Sequence, residues 1–180
     1  MKNFRRIVGL VVLVFLLPMH AQSIDVIHEI RIGVLAHDVD NLWSGFSREE
    51  GTDYNGELIF TPEYSLLGGK LRPNLGFSIN DGDDTSKVYA GGLLEYTWRN
   101  GIFFDTGLGL AIHDGETDDE GRKDKKELGS PILFRVTFEL GVTVADHHRL
   151  SVMFDHISNA YIFDPNEGLD TLGIRYGYLF

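Results

Sequence analysis

From Ile132 the chain reads ILFRVTFELGVTV, and every second residue is apolar: Ile132, Phe134, Val136, Phe138, Leu140, Val142 and Val144. Between them stand Leu133, Arg135, Thr137, Glu139, Gly141 and Thr143. A period of two predicts a β-strand, because successive side chains on a strand point to opposite faces. At about thirteen residues it is longer than most strands of soluble sheets.

The same alternation recurs along the chain. Its apolar members are Ile30 to Ala36, Leu58 and Phe60, Leu71 to Ile79, Val88 to Trp98, Ile102 to Ile112, Leu150 to Phe154, and Leu172 to Phe180. With the run from Ile132 this makes eight strands. The opposite face carries Arg31, Arg72, Arg135 and Arg175, with Glu57, Glu95, Asp105, Glu139, Asp155 and several glycines. A soluble sandwich or a lipocalin-like binder would bury the apolar face, which leaves such balanced charges unexplained. An eight-stranded barrel has a lumen just wide enough for side chains to fill. The apolar face then points out toward lipid, and the charges pair inside. The pattern therefore predicts an all-β fold: an eight-stranded antiparallel transmembrane β-barrel of the bacterial outer membrane. Closure removes sheet edges, which hydrocarbon does not tolerate.

Loop lengths agree. DVDNLWSGFSREEGTD, NDGDDTS, HDGETDDEGRKDKKELGS and ISNAYIFDPNEG are long or strongly polar, and they alternate with the short SLLGGK, RNG and ADHH. Long external loops and short periplasmic turns are the habit of such barrels. Both termini then lie on the periplasmic side. Tyr96, Trp98, Tyr176, Tyr178 and Phe180 gather there as an aromatic girdle. The terminal Phe180 also suits an assembly signal read by the outer-membrane assembly machinery.

Composition narrows the picture. The chain has 180 residues, no cysteine, 21 glycines and a formal net charge of −11. The charge excludes nucleic acid as a partner. Without disulfides, an exported domain must close itself by other means, as a barrel does. MKNFRRIVGLVVLVFLLPMHAQS has a basic start, an apolar core and a small residue at Ala21. It reads as a cleavable signal peptide over 1–21, with 22–180 as the barrel. An uncleaved anchor is the competing reading.

Candidate chemistry lies near the end. His156 and Ser158 are two apart and share the outward parity of Leu150, Val152 and Phe154. Asp170 shares the outward parity of Leu172 and Ile174. The two strands are antiparallel neighbours, so Asp170 can sit beside His156. Serine needs a base within reach, and the base needs an orienting acid. The three residues supply those roles, and Asn159 is placed to donate its side-chain amide to an oxyanion. The bland alternative is a solvated rim histidine beside DPNEG, a good turn in its own right. His113, His147 and His148 lack metal-ligand spacing, and no bidentate glutamate follows Asp81, Asp83 and Asp84.

DHISNAYIFDPNEGLDTLGIRYGYLF resembles the C-terminal signature of the lipid A 3-O-deacylases (PagL) and the wider acyloxyacyl hydrolase family. His156, Ser158, Asn159, Ala160, Pro165, Asn166 and Gly168 match its motif in order. RPNLGFSINDGDDTSKVYAGGLLEY and GIFFDTGLGLAIHDG extend the resemblance. It implies an outer-membrane barrel that removes an ester-linked acyl chain from lipid A of lipopolysaccharide. It implies no metal and no cofactor, catalysis by Ser158, His156 and Asp170, and an oxyanion or positioning role for Asn159 and Asn166. The family acid is commonly a glutamate where this chain has Asp170. Glu167 is the nearby alternative, and replacing Asp170 by glutamate is expected to retain or improve activity. The basic residues Arg122, Lys123, Lys125 and Lys126 read as a solvated loop, with lipopolysaccharide phosphates as an alternative contact. A homodimer is compatible with this reading. So is a catalytically silent barrel of structural or adhesive role.

Overall fold

The computed structural model describes residues 26–118, 121 and 123–180. The expected leader, 1–21, lies outside the described residues, as does Arg122. Nine strands follow one another: β1 (Ile27–Ala36), β2 (Thr52–Phe60), β3 (Tyr64–Leu66), β4 (Gly69–Asn80), β5 (Lys87–Thr97), β6 (Ile102–His113), β7 (Ile132–Val144), β8 (His148–Ser158) and β9 (Leu169–Leu179). Eight of them form a closed antiparallel barrel. The hydrogen-bonded order runs β2-β1-β9-β8-β7-β6-β5-β4, and β2 pairs with β4 to complete the ring. The ninth, β3, is a three-residue ladder on β4 at the short-turn end. It is too short to show a period, which is why the sequence pattern missed it.

Parity is as the alternation predicted. Leu108, Ile174 and Leu140 are among the most exposed apolar residues, while Asp105 and Asp155 are fully buried. This inversion of the soluble rule is what a lipid-facing barrel requires. All nine charged residues read as inward are buried. Arg31 lies at the centre of the network. Its Nη1 is 2.7 Å from both Asp105 and Glu139, and its Nε and Nη2 each donate to Glu29 at 2.8 Å. Arg135 donates to Asp155 at 2.8 Å and lies 3.5 Å over the Tyr89 ring. Arg175 pairs with Glu57. Arg72 instead turns to Thr61 O and Glu63 at the mouth. Charges this deep are tolerated because each stands against an opposite charge.

Glycine makes room for the rings inside. A Cβ on Gly141 would stand 2.5 Å from Phe103 Cζ. On the outer wall Phe77 covers Gly56, where a Cβ would come within 2.6 Å of the ring. That glycine is why the alternation fades early in β2.

At the short-turn end Tyr178 stacks on His147 at 5.7 Å and meets Phe180 edge-on at 5.3 Å. His148 bonds the Tyr176 hydroxyl at 2.7 Å. The two histidines, given no part from sequence, belong to the girdle.

Candidate active site

Four loops join the strands at the opposite end: L1 (37–51), L2 (81–86), L3 (114–131, described at 114–118, 121 and 123–131) and L4 (159–168). His156 and Asp170 are directly paired across β8 and β9. Outward-facing neighbours at such a position stand close enough for side chains to touch. The His156 Nδ1 to Asp170 Oδ1 distance is 2.6 Å, and His156 Nε2 to Ser158 Oγ is 3.0 Å. One imidazole therefore bridges a carboxylate and a hydroxyl, the geometry of a nucleophile, base and orienting acid. With a proton on Nδ1 held by Asp170, Nε2 is left to accept from Ser158. Glu167, the alternative acid, is engaged elsewhere. Its Oε1 pairs with Arg48 at 2.8 Å and its Oε2 accepts from Glu127 N at 2.8 Å.

Outward parity suggested three polar groups open to lipid. The structure corrects this: Asp170 is fully buried and His156 is only 6% exposed. L1 covers them. The Trp43 ring lies flat on the His156 imidazole, centroids 4.6 Å apart. Ser44 gives Asp170 Oδ2 two hydrogen bonds, from N at 2.6 Å and from Oγ at 3.0 Å. Val39 N donates to the Asp170 carbonyl at 2.9 Å. Shielding meets the cost of placing polar groups on the lipid side. No sequence signal linked L1 to the triad.

L1 is fixed by a buried cluster of its own. His37 Nδ1 meets Asp53 Oδ1 at 2.7 Å, and Nε2 meets Glu49 Oε2 at 2.9 Å. Burial opposes a charge on His37, but the bonds to Asp53 and Glu49 outweigh it and raise its pKa from 6.5 to about 9. The imidazole is therefore doubly protonated near neutrality. Glu49 also accepts from Thr85 N and Oγ1 and from Lys126 N, each at 3.1 Å. Asp38 accepts from the amides of Arg48 and Glu49 at 2.6 and 3.0 Å.

The remaining sequence candidates fall differently. Asn159 spends its amide on the carbonyls of Leu128 at 3.0 Å and Pro165 at 2.8 Å, so its side chain ties L3 to L4 and is not free for an oxyanion. Asn166 Oδ1 accepts from Asn159 N at 2.8 Å and holds the chain just after Ser158. Both residues position L4. Gly168 lies against the pair, where a Cβ would stand 3.0 Å from His156 Cε1 and 3.6 Å from Ser158 Cβ. Lys126 is neither solvated nor on the surface. It is buried with Nζ 3.8 Å from the Phe46 ring centroid. Lys125 pairs with Asp84. The described residues offer one metal-like group, His28, Glu29 and Glu95, at the far mouth.

The fold is similar to the crystal structure of the outer membrane enzyme PagL, with a TM-score of 0.62 and 19% identity, covering 83% of this chain and 99% of that one. It is also similar to the N-terminal β-barrel domain of Pseudomonas aeruginosa OprF, with a TM-score of 0.55 and 10% identity, covering 86% and 99%. At those identities the likeness is of fold, and fold alone does not carry an activity. In sequence, the chain is 28% identical to lipid A deacylase PagL of Bordetella bronchiseptica over 87 residues, 47% of this chain. That match spans about half the length of the relative, 46%. The model of the family described as Lipid A 3-O-deacylase (PagL) matches residues 48–179, most of the barrel and all of the His156–Ser158–Asp170 constellation. The chain belongs to the lipid A 3-O-deacylase (PagL) family.

Proposed function

We propose that the protein is an outer-membrane esterase that removes an ester-linked acyl chain, the 3-O chain, from lipid A by a Ser-His-Asp mechanism. The observation that carries this reading is the continuous line Asp170–His156–Ser158, at 2.6 and 3.0 Å, on the outward face beside the long loops. A lipid-borne ester is reached from that side of the wall and not from a lumen filled by ion pairs.

In the proposed reaction Ser158 Oγ attacks the ester carbonyl as His156 Nε2 takes its proton. Asp170 holds the Nδ1–H and stabilises the imidazolium. Collapse of the tetrahedral intermediate breaks the ester C–O bond, and His156 returns the proton to the sugar oxygen. The acyl group is left on Ser158. Water, deprotonated by His156, then attacks the acyl-serine, releasing a fatty acid and restoring the hydroxyl. The chemistry is complete with these side chains and water. The long-loop end would lie at the outer leaflet, and Phe180, at the periplasmic rim, would serve assembly.

The test is the mass of lipid A from cells carrying the wild-type protein or Ser158→Ala. Loss of one ester-linked acyl chain with the wild type, and none with the variant, is the expected result. Unchanged lipid A in both would favour a catalytically silent barrel.

A further inference from the structure

We propose that Ser44 is a positioning residue that sets the orientation of Asp170, so that L1 completes the hydrolytic unit. The proposal rests on the reading of His156, Ser158 and Asp170 as a triad. Asp170 has two carboxylate oxygens, and only Oδ1 faces His156. The carboxyl group could rotate about its Cβ–Cγ bond, and Oδ1 would then leave Nδ1. Three donors from L1 act on this one residue. Ser44 N and Oγ donate to Oδ2 at 2.6 and 3.0 Å, and Val39 N holds the main-chain carbonyl at 2.9 Å. A fixed Oδ2 fixes Oδ1, and with it the tautomer that leaves Nε2 free to accept from Ser158.

L1 is built to hold Ser44 there. Gly45 follows at φ +84°, a conformation side chains resist, and a Cβ on it would meet nothing within 4 Å. The backbone turn, not packing, demands that glycine. Trp43, the residue before Ser44, is anchored on His156. The His37–Glu49 and Asp38 contacts hold both ends of the loop. Ser44 is thus delivered by a fixed loop, as a group supporting a catalytic geometry must be.

The experiment compares wild type, Ser44→Ala, Ser44→Thr and Ser158→Ala, each folded in detergent and checked by heat-modifiable gel mobility. Two readings are taken. One is turnover of 3-O-acylated lipid A in mixed micelles. The other is the low-field proton resonance of His156 Nδ1–H, recorded without substrate. Ser44→Ala keeps the backbone donor and loses the hydroxyl. Its kcat should fall about tenfold with KM unchanged. The Nδ1 proton resonance should shift, and Ser44→Thr should restore both. Wild-type kcat and an unmoved resonance in Ser44→Ala, or a loss that threonine does not restore, overturns the proposal. Turnover persisting in Ser158→Ala overturns the triad reading instead. The resonance would then still decide whether Ser44 orients the Asp170–His156 pair.

Discussion

Trp43 lies parallel to the imidazole of His156, the two planes within 8° and the ring centroids 4.6 Å apart. The indole covers one face of the imidazole and limits the ring's rotation. It also stacks on Phe154 at 6.5 Å, and Phe154 on Phe138 at the same distance. The aromatic line thus continues down the outer wall from the site. Trp43 itself remains more than half exposed. An indole suits that position, half against protein and half at a membrane interface.

Trp43→Ala should therefore leave the barrel folded and lower turnover between about tenfold and a hundredfold, the usual penalty for a loosened catalytic group. Trp43→Phe should recover much of the loss. Kinetics in micelles, beside gel mobility with and without boiling, makes the comparison. An alanine variant as active as wild type would show that the stack has no part in catalysis.

The His37 cluster predicts a dependence on alkaline pH. The folded pKa of about 9 lies above the ordinary 6.5, so folding favours the protonated form. Its contribution is fully present below pH 6.5 and is lost as pH rises through about 9. The groups that face it are Glu49 and Asp53, both acidic. Once His37 is neutral, one of its nitrogens no longer donates, and a carboxylate contact on L1 or β2 weakens. Amide exchange at Arg48 and Glu49, whose N–H groups bond Asp38, should accelerate above pH 9 beyond the intrinsic rise. In His37→Gln that additional step should disappear. Equal acceleration in the variant would mean that another group opens the loop.

Inside the barrel, Arg31→Met should be among the most damaging single changes. It would leave Glu29, Asp105 and Glu139 without the guanidinium that now contacts all three. Removing one partner from a buried ion network costs about 3–5 kcal/mol. The midpoint of heat modification on gels should drop well below that of wild type, while Ser158→Ala should not move it. A wild-type midpoint for Arg31→Met would show that Arg149, which pairs with Glu29 and Glu95, and Arg175, which pairs with Glu139, hold the network without it.

The barrel was legible because a closed sheet repeats one rule on every strand, and β7 states it over its full length. Arg31, Glu57 and Asp105 mark the lumen as clearly as Leu140 and Ile174 mark the wall. The nearness of Asp170, His156 and Ser158 was legible for the same reason: all three stand on strands joined by one loop, so parity and neighbourhood bring them together, while their reading as a triad came from the resemblance to the deacylases. Ser44 was not. It lies 126 residues from Asp170 in sequence. Its loop has no period, and its path follows from left-handed turns at Asp38 and Asn41 and from hydrogen bonds to Asp38. Asn159 misled because its amide looks free in sequence, whereas the folded turn surrounds it with carbonyls. Lys126 misled likewise: a lysine in a charged run gives no sign that Phe46 and Asp38 enclose it.

Substitution of Asp170 separates reach from orientation. Both of its oxygens now accept hydrogen bonds: Oδ1 from His156 Nδ1–H, Oδ2 from Ser44 N–H and O–H. An asparagine has only one accepting atom. If its NH₂ faces His156, the imidazole must carry its proton on Nε2, and it can no longer accept from Ser158. If its NH₂ faces Ser44, it opposes a backbone N–H that cannot turn away. Either way Asp170→Asn should lose about three to four orders of magnitude in kcat. The sequence alone suggested that glutamate, the common family acid, would serve as well or better here. The structure argues the reverse. His156 and Asp170 are directly paired across β8 and β9, the 2.6 Å contact has no gap for another methylene, and Ser44 closes the far side. A glutamate must push Ser44 aside or bend its own chain. Asp170→Glu should therefore be slower than wild type, and Asp170→Glu with Ser44→Gly should recover part of the loss by clearing the slot. Rates for the two single variants and the double variant, measured on the same lipid A micelles, decide it. An Asp170→Glu enzyme as fast as wild type, with Ser44 intact, would show that L1 yields easily and that its contacts to Asp170 do not govern the rate.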